Sequence, residues 1–239
     1  MPTIEGVLIS VILSVILALI TYRTGLLTLG GSVSAASIAV VIGALGSVYW
    51  LILLVVFAVL GFAATNAGFS KKRKMGVQEG EHGERNFKNI LGVAIPPAVF
   101  AVLNTALPGN TDMLALAFIA TVCVAASDTA ASELGVRDPN VWLITTFKRV
   151  PQGTDGGISV KGTLISLIAS FAVAAIGYIL VFRTIDAVFV IPAICGMIGC
   201  IADSYIGATI ETWGWVSKYA NNCITGILGG VMAVIFCMI

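Results

Sequence analysis

Charge is scarce in this sequence. Lys and Arg number 13 and Asp and Glu 12, so 25 of 239 side chains are formally charged, about 10% against about 25% in a soluble domain. Histidine is scarcer still, since His82 stands alone. Histidine-rich metal sites are thereby excluded, and Ser-His-Asp or Cys-His catalysis would have to run through that single imidazole. The net charge is only +1, so nothing points to nucleic acid as a partner. The five cysteines, Cys123, Cys195, Cys200, Cys223 and Cys237, form no C-x-x-C pair and sit mostly in apolar runs, where they read as packing residues.

Apolar residues are what the chain has, at 58% of positions with a mean hydropathy of +1.03. It reads as an all-α polytopic transmembrane helix bundle, a single integral membrane domain over residues 1–239 with chemistry in its cytoplasmic loops. A span needs about 20 residues, and spans are placed at 4–22, 90–103, 112–127, 163–182, 187–202 and 222–239, with residues 32–69 divided into a short second helix and a third from about Tyr49. The break between the second and third is placed at Gly43–Ser47, because residues 32–69 are too long for one helix. Pro96 and Pro97 are expected to kink or break the fourth. The first run has no basic segment before it and reads as a retained helix rather than a cleaved signal.

Eight spans put the connections at 22–31, 70–89, 128–162 and 203–221 on one side. These hold every basic residue except Arg183, which makes that side cytoplasmic by the positive-inside rule. Twenty of the 25 charges lie within residues 71–88, 128–161 and 203–218.

Each charged loop carries phosphate-handling chemistry. Lys71, Lys72 and Arg85 lie among glycines, and point charges, a guanidinium fork and bare backbone N–H groups suit a polyphosphate. Asn89 lies close by. Asp128 and Glu133 stand where a membrane helix meets water, and intramembrane carboxylates usually face a cavity, a partner or a cation. Five residues apart, they lie roughly 140° apart around a regular helix, so they either bind separate things or the helix bends. Lys148 and Arg149 precede Gly153-Thr-Asp155-Gly-Gly157-Ile-Ser159, a turn suited to a nucleotide or a metal–phosphate pair. The order Lys161-Gly-Thr163 is not the Gly-Lys-Ser/Thr of a Walker loop. Asp203-Ser204 echoes Asp128-Thr129, and the two pairs together could hold Mg²⁺, which prefers oxygen ligands shared with phosphates. Glu211 and Asn222 are weaker candidates. Gly226, Gly229 and Gly230 read as close-packing positions between helices.

These motifs resemble a known group. Asn66-x-Gly-Phe-x-Lys-Lys, the run Ala126–Gly135, Gly153-x-Asp-Gly-Gly-x-Ser and Asp203-Ser-x-x-Gly-Ala-Thr209 look like the phytyl-phosphate kinase family of the plastid vitamin E pathway. A fainter likeness extends to dolichol and phytol kinases and to CDP-diacylglycerol synthase. The resemblance implies transfer of the γ-phosphoryl group of a nucleoside triphosphate, CTP favoured, to an isoprenoid monophosphate such as phytyl or geranylgeranyl phosphate. It implies catalytic roles for Asp128, Asp203 and Lys148, and Mg²⁺ on Asp128, Glu133 and Asp203. It implies nucleotide contacts from Asn66, Lys71, Lys72, Arg85, Asn89, Arg149, Gly153, Thr154, Asp155, Gly156, Gly157 and Ser159. The partners expected are the nucleotide, the lipid phosphate and the bilayer, with homo-oligomerisation left open. A cytidylyltransferase making a CDP-linked lipid uses the same parts. A transporter or a noncatalytic scaffold is the reading from other classes.

Overall fold

The computed structural model describes residues 3–239, so the first two positions of the expected domain lie outside it. Nine α-helices occur among the described residues: α1 (Ile4–Arg23), α2 (Leu29–Leu45), α3 (Val48–Asn66), α4 (Phe69–Met75), α5 (Phe87–Ala106), α6 (Thr111–Leu134), α7 (Val160–Phe182), α8 (Val190–Ile206) and α9 (Lys218–Met238). The only strands among them, β1 (Trp142–Leu143) and β2 (Gly157–Ile158), pair antiparallel in the connection between α6 and α7. The chain is a polytopic helical bundle, and seven helices among the described residues are long and apolar enough to cross a membrane.

Helix starts follow from local capping chemistry. Thr3, Thr28, Ser47, Ser159 and Ser217 each accept a backbone N–H from the first turn they open. Asn86 and Asn89 form a reciprocal capping box at α5. The break at Gly43–Ser47 falls as expected, with Gly46 ending α2 and Ser47 capping α3.

Three expectations needed correction. α5 runs continuously through Pro96 and Pro97, so those residues do not break it. Pro96 packs on Gly226 of α9, where a Cβ would come within 2.7 Å of the ring. α6 does not stop at Ser127 but continues to Leu134, and α8 passes Asp203 and ends in a π-helical turn at Gly207–Glu211. The loops are therefore shorter than 128–162 and 203–221, because polar residues facing protein rather than lipid do not end a helix. Residues 70–89 are not simply a loop either, since they hold most of α4 and the start of α5.

α6 is the axis of the bundle, with 78% of its most apolar window buried. Neighbours approach it over glycine: Gly177 of α7 meets Ile119, Gly199 of α8 and Gly229 of α9 meet Val124, and Gly196 of α8 meets Cys123. Phe118 stacks on Trp50 of α3 with ring centroids 4.3 Å apart. α1 shows the inverse of a soluble helix: its buried positions are Ser10 and Ser14, while its apolar side chains face outward.

α2, at 17 residues, is not one of those seven helices. Its direction is nonetheless fixed by its ends. Thr28 donates its backbone N–H to Arg85 O at 3.1 Å and Arg85 donates to Leu26 O at 3.1 Å, so the connection after α1 and the connection after α3 lie together. At the opposite end, Asn104 and Thr105 of α5 donate to Leu45 O, and Arg183 lies over the Tyr49 ring at 3.9 Å. α2 and α3 thus form a full return pair. The charged connections gather at one end of the bundle, with Arg183 at the other.

Candidate functional site

At the charged end a cavity of ≈ 370 Å³ opens between α6, α7, α8 and the start of α9, roofed by the α6–α7 connection and by Gly76–Glu79. Asp128 reaches it from α6 and Asp203 from α8, and the two carboxyls are neighbours there. Asp203 Oδ1 accepts from Thr225 Oγ1 at 3.3 Å. Asn221 Nδ2 donates to the backbone carbonyl of Asp203 and to Glu211 Oε2, both at 3.1 Å, so one amide ties the Glu211 carboxylate to the main chain of α8. Behind the Asp pair lies a small void of ≈ 10 Å³ edged by Thr121, Asn222 and Thr225, about the size of one water or ion.

The roof is built by the glycine turn. Gly156 has φ +72°, and a Cβ there would lie 2.6 Å from Ser204 O and 2.7 Å from Ala208 N. Only glycine lets the turn sit directly on the end of α8. The π-turn at Gly207–Glu211 then brings Glu211 to the cavity edge, the kind of local helix widening often found at functional sites. Gly153 rests on Val77, which joins the turn to the Gly76–Glu79 segment. Glu79 is itself held by Asn89 Nδ2 at 2.9 Å and by Lys218 Nζ at 3.4 Å.

Asp128, Asp203, Gly153, Thr154, Asp155, Gly156, Gly157 and Ser159 all line this cavity, as does Asn222. Ser159 does so while its hydroxyl caps α7 by accepting from Gly162 N at 3.0 Å. Lys72 and Glu133 are elsewhere. Lys72 is fully buried, its ammonium paired with Glu133 and donating to Ala64 O at 3.2 Å and Thr65 O at 2.6 Å. Glu133 also accepts from Thr65 Oγ1 at 2.9 Å and faces Arg85 Nη2 at 3.7 Å. That network occupies the groups expected on phosphate and metal: Lys72 has no free donor direction to offer, and Glu133 is already neutralised. The helix does not bend to unite the two carboxylates. It stays regular, and Asp128 and Glu133 serve different sites.

Asn66, Lys71, Lys148 and Arg149 are exposed and outside the cavity lining. Arg149 lies over the Trp142 ring at 5.5 Å. Asn89 caps α5 and holds Glu79. The cation that does line the cavity is Lys218, which sequence reasoning counted as a topology charge only. Gln78, Glu79, Ser132, Thr163, Ser166, Ser204 and Glu211 complete its polar surface. The lining carries Glu79, Asp128, Asp155, Asp203 and Glu211 against Lys218, so it favours a cation, or an anion that arrives with one. Among the described residues no cluster of three or more His, Cys, Asp or Glu is arranged to hold a metal by itself. Two carboxylates with open positions match Mg²⁺, which typically keeps water or phosphate oxygens as its other ligands.

Fold and site together define a polytopic helical membrane protein with an acidic, glycine-roofed cavity at one end of its bundle. The chain belongs to the DUF92 family of integral membrane proteins, whose profile matches residues 12–231. It is 33% identical over 239 residues to the membrane protein MJ0933 of Methanocaldococcus jannaschii, covering 99% of this chain and 97% of that one. It is 34% identical over 194 residues to the membrane protein sll0875 of Synechocystis, covering 80% and 74%. With the chloroplastic protein VTE6 of Arabidopsis thaliana it shares 32% identity over 222 residues, 88% of this chain and 66% of the relative. No solved structure matches.

Proposed function

We propose that this protein is a membrane-embedded phosphotransferase that passes the γ-phosphoryl group of a nucleoside triphosphate, CTP favoured, to an isoprenoid monophosphate. One observation carries the reading: Asp128, Asp203 and the Gly153–Ser159 turn, far apart in sequence, line one cavity at the end of an apolar bundle. The four motifs resembling the phytyl-phosphate kinase family support it, and a chloroplast relative agrees with the plastid branch of that family.

Asp128 and Asp203 would hold Mg²⁺, which supplies charge neutralisation on the triphosphate. Thr225 orients the Asp203 carboxylate for that task, and Asn221 holds the Asp203 backbone carbonyl beside it. The turn over Gly156 and Gly157 offers backbone N–H groups close to the phosphates, and Lys218 supplies a positive charge on the same wall. A phosphate monoester is already ionised near neutral pH, so no general base is needed, in keeping with a chain that has one histidine. Phosphoryl transfer asks mainly for positioning and electrostatic stabilisation. Exposed Lys71, Lys148 and Arg149 raise the local concentration of the anionic nucleotide without entering the cavity.

The test is incubation of the purified protein with Mg²⁺, geranylgeranyl or phytyl phosphate, and CTP labelled at the α or the γ position. Label from γ in the lipid is expected. Label from α instead assigns a cytidylyltransferase, and no nucleotide consumption with any prenyl phosphate rejects both enzymes and returns the transporter reading.

A further inference from the structure

One wall of the cavity is of no use to a nucleotide. Below the carboxylates the lining passes to Ser166 of α7 and to Met197, Cys200 and Ile201 of α8. Ile201 lines the cavity and is 47% exposed. Thr163 of α7 likewise lines the cavity and is exposed. These exposed lining residues sit on the facing helices α7 and α8, which makes the seam between them the side on which the cavity can open outward.

The depth and the surroundings of that opening say what it meets. Ser166 and Ile201 lie roughly 7–9 Å inside the ends of their helices, at 1.5 Å per residue. The outer surface there is apolar, with Leu164 at 54% exposure and Ile168 at 68%. Both helices belong to the set able to cross a membrane, so this surface faces hydrocarbon. At this level Ser166 Oγ donates across the seam to Met197 Sδ at 3.3 Å, and a methionine side chain is flexible enough to move aside, while deeper in the bundle Ser170 Oγ donates to Ala193 O at 2.7 Å and holds the two helices together. A water-soluble ligand gains nothing from an opening at this level. A lipid phosphate matches both ends of it, with its head at the polar carboxylate end and its chain at the apolar exit.

We propose that the α7–α8 seam is a lateral portal: the lipid's phosphate sits at the Asp128–Asp203 end while its isoprenoid tail runs out past Met197 and Ile201 into the bilayer. This deepens the lipid-phosphate reading above and rests on it. The experiment uses the full chain in nanodiscs with Mg²⁺ and a geranylgeranyl phosphate carrying a diazirine on its terminal isoprene unit. After photolysis, labelled peptides are mapped by mass spectrometry with and without excess unlabelled geranylgeranyl phosphate. Competable label is expected on the facing stretches of α7 and α8. Competable label on α5 or α9 instead overturns the portal and leaves the lipid-phosphate reading standing, whereas no competable label anywhere overturns both. Ile201→Trp, which narrows the seam, should cut competable labelling at least fivefold, and Ile224→Trp on the exposed side of α9 should leave it unchanged. Undiminished labelling of the Ile201→Trp protein overturns the portal.

Discussion

Lys72 shows how a single residue can be misread from its neighbours. In sequence it sits inside Lys71-Lys-Arg-Lys74, where the simplest readings are a solvated topology signal or a phosphate clamp. In the fold it turns inward and is fully buried, while Lys71, Arg73 and Lys74 are exposed. A buried ammonium is tolerable only with its donors satisfied, and Glu133 with two backbone carbonyls does that. Removing it leaves Glu133 with Thr65 and the more distant Arg85, so Lys72→Met should destabilise by about 2–3 kcal/mol, less than the loss of a sole partner. Lys71→Met on the same helix should stay within about 0.5 kcal/mol. Thermal melting in detergent compares them, and equal midpoints would remove the ion pair from the energetics of the fold. Asp128 invites the opposite pattern. Asp128→Asn keeps the side-chain volume, so melting should be little changed, yet CTP turnover should fall by about a hundredfold or more as the cation site loses a charge. Near-normal turnover would take Asp128 out of that site.

Among the elements, helix positions were legible because hydropathy and caps record them, and the Gly46–Ser47 break is the clearest case. What the sequence obscured was where the helices end at the charged side. Asp128, Glu133 and Asp203 read as loop residues by their charge, but each faces protein, and a carboxylate with a cavity or a partner does not stop a helix. The candidate site was legible in the same uneven way. Asp128, Asp203 and the glycine turn carry local signatures, whereas Lys218 enters the cavity only because α9 starts beside α8, a tertiary fact with no local mark. The α6–α7 contact gives a sharper element-level prediction. A Cβ on Gly135 would come 2.7 Å from Gly162 Cα, backbone that cannot yield. A Cβ on Gly162 meets Ser159 Oγ at 3.2 Å and Gly135 Cα only at 3.7 Å. Gly135→Ala should therefore cost about 1–3 kcal/mol, and Gly162→Ala less, partly offset by better helix propensity. If thermal melting shows Gly162→Ala to be the more damaging change, the close approach is placed at the wrong residue.

For the molecule as a whole, the charge distribution and the hydrogen bonds between connections make one argument. The Leu26–Arg85–Thr28 bridge ties two connections together, Gly68 rests against Arg137, and Gly156 rests on the end of α8, so all four charged connections share one end. All seven lysines, Lys71, Lys72, Lys74, Lys88, Lys148, Lys161 and Lys218, belong to that end. By the positive-inside rule it should face the cytoplasm, which is also where nucleoside triphosphates are found. The lysines themselves can report this without introducing any mutation. A membrane-impermeant amine reagent applied to inside-out vesicles should modify exposed Lys71, Lys74, Lys148 and Lys161, and applied to right-side-out vesicles it should modify none of them. Buried Lys72 should stay unmodified in both, which excludes an unfolded chain, whereas a leaky membrane would show as exposed lysines modified in both preparations. Modification of the exposed lysines from the outer side would invert the orientation and put the cavity out of reach of cellular nucleotide. Lysines split between the two preparations would mean that α5 with α6, or α7 with α8, does not form a return pair, contradicting the contacts of Gly68 with Arg137 and of Gly156 with Ser204.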